Sequence, residues 1–408
     1  MRVAVVTQSL DRVGGVETYL EAVLPALAGR YQLALCVANA HVTNRGAISI
    51  PRQASMLEIG REGSDDIKSL RSWDPDLIFA HGLDDAALEA AVLGSTPAVI
   101  VEHTYHGTCI SSSKTMSWPS VAPCSRQFGP PCLALYFPRR CGGSNPLTMA
   151  RLYRAQSARL AGLRNAAAVV TLSQHMADEM TRNGVGKERV HVVPPFVSAT
   201  AAQGCATNVQ DADITCRLLY LGRLERLKGV DGLLRATGLV AAQLKRQVQL
   251  TVAGDGGERE NLQALAAHLC GNDSRIAIEF AGWQGEAGRT RLLAAAHALV
   301  VPSIWPEPFG LVGLEAAAAG VPAVAFPVGG IPEWLRDDEN GCLGSMTGDR
   351  ASALADAIVR CVESPERLAR LRDGARRSAS RWRLDRHVER LEQVFETVVP
   401  ALRARQAV

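Results

Sequence analysis

The sequence predicts an α/β protein built as two doubly wound domains facing a central cleft. Three observations carry that expectation. Short runs rich in Val, Ile and Leu alternate with amphipathic stretches of helical period, the pattern of a parallel sheet covered on both faces. The rhythm stops at Pro194-Pro195 and restarts after a small, polar stretch, SATAAQGCATNVQDAD. A chain of 408 residues is also long for one domain, whereas two Rossmann-like halves fit it well.

Taken in order, the first half predicts strands near Val3–Thr7, Leu33–Val37, Leu77–Ala80, Ala98–Glu102, Ala168–Leu172 and Val190–Val193. Helices are expected near Val16–Ala28, Asp84–Leu93, Leu147–Leu163 and Gln174–Asn183. The second half predicts strands at Arg217–Leu221, Gln249–Ala253, Ile276–Phe280, Ala298–Val301 and Ala323–Phe326. Its helices fit Val230–Lys245, Glu258–Leu269, Gly288–His297, Leu311–Ala319 and Ala351–Glu363. The expected organisation is an N-terminal domain over 1–197, a linker over 198–213 and a C-terminal domain over 214–385. A last helix within 386–408 is expected to pack back across the junction. Ligands of such sheets bind beyond the carboxyl ends of the strands.

Composition narrows the function classes. With 47% hydrophobic and 21% charged residues, the chain is not a disordered or low-complexity protein. No run approaches the ~20 apolar residues of a membrane span. The N-terminus lacks the charged lead, long apolar stretch and cleavage site of a secretory signal, so a cytoplasmic protein is expected. Ten cysteines without such a signal argue weakly for disulfides.

Charge is segregated. From His103 to Ala177 there is no Asp or Glu, while Lys114, Arg126, Arg139, Arg140, Arg151, Arg154, Arg159 and Arg164 give that stretch +8. The remainder holds 36 basic against 41 acidic side chains, a charge of −5. An anionic partner for 103–177 is therefore expected, an anionic membrane surface among the possibilities, with no role in nucleic-acid binding. Within this stretch an insert at 104–146 is rich in Gly, Pro, Ser and Cys. A loop so long is usually functional. Its Cys109, Cys124, Cys132 and Cys141 have fourteen, seven and eight residues between them without a C-x2-C pair, so reduced packing cysteines are expected over a zinc site. On the following helix Met149, Leu152, Tyr153, Leu160 and Leu163 form one stripe, either core or an interfacial face.

The second half carries the denser chemistry. In YLGRLERLKGV a strand meets a Gly turn at Gly222 and then presents Arg223 and Lys228, a fork and a point charge suited to a diphosphate. In PSIWPEPFGLVGLE a strand ends at Val301-Pro302, Glu307 lies in the loop, and Phe309-Gly310 opens a helix. Backbone N–H groups at Leu311 and Val312 there suit phosphate or sugar oxygens. Glu307 and Glu315 are two acceptor-only carboxylates near one helix end, suited to the hydroxyls of a polyol. Gly254 and Gly256 in VAGDGGER resemble part of a dinucleotide fingerprint, but Arg259 stands at its third glycine, which argues against NAD. Asp211 and Asp213 form an Asp-x-Asp in the linker and read as loop charge. In the first half, Gly14-Gly15 follows the first strand, and His81 and His103 end two others.

GRLERLKG, VAGDGGERENL, FAGW, EPFGLVGLE and VGGIPE, in that order along the chain, resemble family 4 of the glycosyltransferases (glycosyl transferases group 1), retaining enzymes of GT-B architecture. GGVE and PDLIFAHG extend the resemblance through most of the chain. It implies that Glu315 binds the ribose of a nucleoside-diphosphate sugar and that Glu307, with the backbone near Phe309 and Gly310, holds the donor sugar. Arg223 and Lys228, helped by the N–H groups of Leu311 and Val312, would neutralise the diphosphate. Trp283 would lie by the base, Gly14 and Gly15 by the diphosphate, and His103 by the reacting carbon. His81 is the second candidate, for the acceptor. No metal and no cofactor are implied. The expected reaction is metal-independent hexosyl transfer with retention, driven by charge stabilisation on the leaving diphosphate. The acceptor is expected to be a lipid-linked or envelope polysaccharide precursor, with peripheral association at the cytoplasmic membrane face. Alternatives are a soluble sugar or metabolite acceptor, or a non-catalytic sugar-nucleotide-binding scaffold.

Overall fold

A computed structural model describes residues 1–11, 15–39, 46–60, 67–197 and 215–399. The expected linker, with Asp211 and Asp213, lies outside the described residues, as do Gly14 and residues 400–408 of the segment expected to hold the last helix. The chain forms two compact units: 1–120, 124–194 and 384–408 make the first, 121–123 and 195–383 the second.

Unit 1 is a seven-stranded sheet in the order β3-β2-β1-β4-β5-β6-β7, with every neighbouring pair parallel. The strands are β1 (Arg2–Thr7), β2 (Gln32–Val37), β3 (Ser55–Glu58), β4 (Leu77–Ala80), β5 (Ala98–Glu102), β6 (Ala168–Thr171) and β7 (Val190–Val192). Val3 to Val6, Leu77 to Phe79 and Val99 to Ile100 are sealed from solvent, as parallel strands covered on both faces must be. The order reverses between β1 and β4, which lie side by side. His81 and His103 follow β4 and β5 at that end of the sheet. The last helix, Leu384–Val398, is strongly amphipathic and buries Val388, Leu391, Val394 and Phe395 in this unit. Its Phe395 meets Phe79 of β4 edge-on at 5.2 Å.

Unit 2 is a six-stranded parallel sheet, β10-β9-β8-β11-β12-β13. Its strands are β8 (Thr215–Leu221), β9 (Gln247–Ala253), β10 (Ile276–Gly282), β11 (Ala298–Val301), β12 (Ala323–Ala325) and β13 (Gly341–Leu343). Here β8 and β11 flank the reversal, so Gly222–Lys228 and Pro302–Glu307 emerge together, where doubly wound sheets bind ligands.

Most of the elements missed in the sequence are short or peripheral. Among them are the edge strands β3 and β13, the short helices Lys68–Trp73, Pro131–Leu135 and Ile331–Trp334, and the longer helix Pro365–Ala379, capped by Ser364 with Pro at its first position. The insert is also more ordered than a loop. Ile110, Phe128, Tyr136 and Leu160 form a small core of their own, against which Met149, Leu152 and Tyr153 pack. The helical stripe is therefore core, while Leu163 joins the main cluster.

Two of the eight cations counted in 103–177 are internal. Lys114 and Arg159 are buried, not presented to a partner. Lys114 pairs with Glu179, and Arg159 lies 3.6 Å from Glu89 while donating to the carbonyls of Leu83 and Asp84. The four insert cysteines are unbridged, and burial pushes the Cys132 thiol up and the Cys141 thiol to about 11. Among the described residues no group of three or more His, Cys, Asp or Glu is placed to hold a metal ion. No described helix is long and apolar enough to cross a membrane.

Candidate active site

In unit 2 the backbone brings the two motifs together before any side chain acts. The carbonyl of Leu227, in the 3₁₀ turn Arg226–Lys228, accepts from the N–H groups of Ile304 and Trp305 at 3.1 and 3.2 Å. That lacing sets Lys228 beside Glu307, and Lys228 Nζ donates to Glu307 Oε1 at 2.7 Å. The pair is largely sequestered, with side chains 16% and 9% exposed. Lys228 Nζ also sits 4.5 Å above the Trp305 ring, a cation–π contact that favours the charged amine there.

Glu307 is clamped from the other side by the segment after β12. Its carbonyl accepts from Gly330 N at 2.8 Å. Gly329 is left-handed (φ 59°), and a Cβ there would lie 2.2 Å from Glu307 O, so only glycine lets that segment close on Glu307. Phe309 is buried, and its carbonyl accepts from Trp334 Nε1 at 2.6 Å. Gly310 then caps the helix Leu311–Ala318 without a side-chain acceptor, so the cap leaves the helix start open to an outside acceptor.

Glu315, in the second turn of that helix, receives Arg289 Nε at 3.2 Å. Burial pushes its carboxyl up, and the nearby Arg289 guanidinium works against that rise. Arg223 is different. Its side chain is 67% exposed and pairs with Glu225 Oε1 at 2.7 Å, a loose surface pair. Trp283 follows β10 and is 55% exposed. Two glycines of VAGDGGER, Gly254 and Gly256, serve close backbone approach. A Cβ on Gly254 would lie 1.8 Å from Gly222 O, which accounts for that residue without a dinucleotide.

Unit 1 holds a second polar group of a different kind. His81 Nδ1 and His103 Nε2 are 3.1 Å apart. Tyr19, on the helix Gly15–Ala28, packs against both rings at 5.5 Å. Tyr19 Oη is 2.8 Å from His387 Nε2, and His387 Nδ1 is 2.7 Å from the Pro194 carbonyl. A carbonyl only accepts, so the His387 proton sits on Nδ1 and the Tyr19 hydroxyl donates to Nε2. Burial holds all three imidazoles neutral: His103 and His387 titrate at about 4 and His81 well below its usual range. Burial likewise pushes the Tyr19 phenol up.

The sequence reading thus located Lys228, Glu307, Glu315, Phe309 and Gly310, which the fold brings into one region of unit 2, and His81 and His103, which meet in unit 1. His81, expected to meet an acceptor, is 7% exposed, and its ring reaches His103. Gly15 opens its helix on an exposed backbone. Arg289, Trp305, Trp334, Tyr19 and His387 were missed. Three of them stood near a legible signal: Trp305 two residues before Glu307, Trp334 directly after VGGIPE, and Tyr19 a few residues beyond the Gly pair.

Comparisons with known proteins bear on the family and the fold. The family model described as Glycosyl transferases group 1 matches residues 215–378, and that described as Glycosyltransferase Family 4 matches 13–200. D-inositol 3-phosphate glycosyltransferase of Xylanimonas cellulosilytica is 32% identical over 247 residues, covering 56% of each chain. A protein of the same description from Catenulispora acidiphila is 34% identical, covering 54% of this chain and 55% of its own. The matched region thus spans about half the length of these curated relatives. Among solved structures, Anabaena HepE in complex with UDP and glucose superposes with a TM-score of 0.68 at 20% identity, covering 97% of this chain and 99% of its own. Sucrose-phosphate synthase from Thermosynechococcus elongatus gives 0.73 at 18% identity, covering 98% and 99%. The two sheets, their orders and the two family matches converge: the chain belongs to the group 1, family 4 glycosyltransferases and has their two-unit, Rossmann-like GT-B fold.

Proposed function

We propose that this protein transfers a sugar from a nucleoside-diphosphate sugar to a soluble polyol or sugar acceptor, with retention and without a metal. The observation that carries the donor half is the buried Lys228–Glu307 pair beside the open start of the helix Leu311–Ala318. An ammonium has three N–H donors and Glu307 takes one, so two remain for phosphate oxygens. Arg223, exposed on the same loop, can swing from Glu225 to add its fork. The carboxylates of Glu307 and Glu315 then accept hydroxyls of the sugar and the ribose. Positive charge and helix N–H groups gather on the leaving diphosphate, so bond breaking is stabilised there without an ion. The retaining reading rests on the family resemblance: the acceptor hydroxyl attacks from the face the diphosphate leaves, the bond to the leaving oxygen breaks, and the hydroxyl proton passes to that oxygen.

The soluble acceptor replaces the lipid-linked one expected from charge. The relatives are named for inositol 3-phosphate and the structural neighbours include a sucrose-phosphate synthase. The buried Lys114 and Arg159 also weaken the +8 argument. One observation favours the lipid-linked reading: Trp118 and Phe137 are 52% and 43% exposed, and Arg140 lies 5.0 Å over the Trp118 ring. Flotation with anionic vesicles at low and high salt separates the two. Salt-sensitive binding lost in Trp118→Ala overturns the soluble reading, and no binding supports it.

The donor is tested by calorimetric titration of UDP, GDP and ADP. One of them is expected to bind at micromolar strength, and Lys228→Ala to weaken it at least about tenfold, or 1.4 kcal/mol. Binding of none, or unchanged binding in the variant, overturns the donor assignment. With the donor known, the anomeric coupling of the product in a chelator-treated reaction reports retention and metal independence together.

A further inference from the structure

We infer that His81 is a positioning residue that fixes the tautomer of His103, so that His103 presents an N–H at Nδ1 to a ligand oxygen. The inference rests on the reading of His103 as a sugar-contacting residue, and its argument is proton placement. One proton lies between His81 Nδ1 and His103 Nε2, which are 3.1 Å apart with rings inclined by only 30°. Both rings are neutral, so each carries a single N–H.

Two placements satisfy that contact. If His103 Nε2 donates, His81 Nδ1 must accept and His81 carries its own N–H on Nε2. That atom is fully buried and has no hydrogen-bond partner among the described residues. Phe79 packs edge-on against the His81 ring at 4.5 Å, and Tyr19, whose hydroxyl is committed to His387 Nε2, lies on another side. An orphaned buried N–H is rarer and costlier than an unused acceptor. The other placement avoids it. His81 donates from Nδ1, its buried Nε2 holds only a lone pair, and His103 accepts at Nε2. The His103 proton is then on Nδ1, the nitrogen that makes no hydrogen bond among the described residues. His103 is less buried than His81, so it is the ring of the two that a ligand can reach.

The tautomer makes His103 a donor rather than an acceptor, which suits a sugar hydroxyl oxygen and costs no charge in a site the fold keeps neutral. His81 thus works through His103 and touches no substrate.

Long-range ¹H–¹⁵N correlation of the full-length, ¹⁵N-histidine-labelled protein at neutral pH reads the tautomers directly. The expected result is a protonated Nδ1 and a bare Nε2 on both His81 and His103, with assignments made from His81→Asn and His103→Gln. A proton on His103 Nε2, or on both of its nitrogens, overturns the inference. His81→Asn keeps an N–H where Nδ1 stood, and His81→Leu removes it. The leucine variant is expected to lower kcat by about 10- to 100-fold and the asparagine variant by under about threefold, the range of losses when a partner orienting an imidazole is removed. Nucleotide affinity is expected to stay unchanged in both. Equal losses in the two variants mean a packing role and overturn the inference. A wild-type protein inactive on every donor would instead count against the transferase reading, while the spectra still decide the tautomer.

Discussion

At the carboxyl ends of β4 and β5 in unit 1 stand imidazoles that burial keeps neutral. At the corresponding ends of β8 and β11 in unit 2 stand an ammonium and a carboxylate, paired at 2.7 Å. Both groups occupy the ligand-binding position of a doubly wound sheet. They differ in what they can hold. A diphosphate carries formal charge and calls for cations and helix N–H groups. A sugar hydroxyl is neutral and is best met by a directional neutral donor that leaves no buried charge. Two units of one architecture thus present polar groups of opposite kinds, one charged and one neutral, at equivalent ends of their sheets.

The sharpest way to break this comparison is to remove one charge from unit 2. Lys228→Ala leaves Glu307 buried and unpaired, and a loss of about 3 kcal/mol in stability is expected beyond the loss of nucleotide affinity. Urea unfolding measures it, and replacing both residues with apolar ones of similar size is expected to restore most of the loss. Next in size is Gly313→Ala. A Cβ there would stand 2.1 Å from the Trp334 ring, whose Nε1 holds the Phe309 carbonyl. A loss of about 2 kcal/mol is expected, with weaker nucleotide binding, because the helix start moves with Trp334.

A pH series sharpens the neutral side. Burial lowers the pH at which His387 takes up its proton to about 4 in the folded unit, against about 6.5 for an exposed imidazole. Between these values the unfolded chain binds more protons, so stability falls as pH falls through the window and is unaffected above it. His387→Gln removes one such group and is expected to flatten the acid limb by up to about 1.4 kcal/mol per pH unit. Glu102, whose carboxyl burial pushes up, acts in the opposite sense but is common to both proteins and cancels in the difference. The smallest expected change is that of Arg223→Ala on stability. Its pair with Glu225 is exposed, so unfolding is expected to shift by less than about 0.5 kcal/mol. Nucleotide affinity is expected to fall all the same, which separates a binding role from a structural one.

The sequence by itself determined the α/β class, most of the strands and the motif residues of unit 2. Parallel strands buried on both faces write themselves as unbroken Val, Ile and Leu runs, as in β1 and β5. The segment carrying Glu307, Phe309, Gly310 and Glu315 is continuous and keeps its own spacing. Where an element is short, polar or at a sheet edge, that signal fades. β3 is SMLE with three of its four residues exposed, and β13 is three residues beginning with glycine. Tertiary structure alone decided the partners. Lys228 meets Glu307 across 79 residues, Glu315 meets Arg289 through two different helices, and Tyr19 meets His387 across 368. It also decided protonation, because burial rather than residue type makes the three histidines neutral. No local pattern encodes such pairings. They arise only once the sheet order has set loops distant in the chain side by side and removed the water between them.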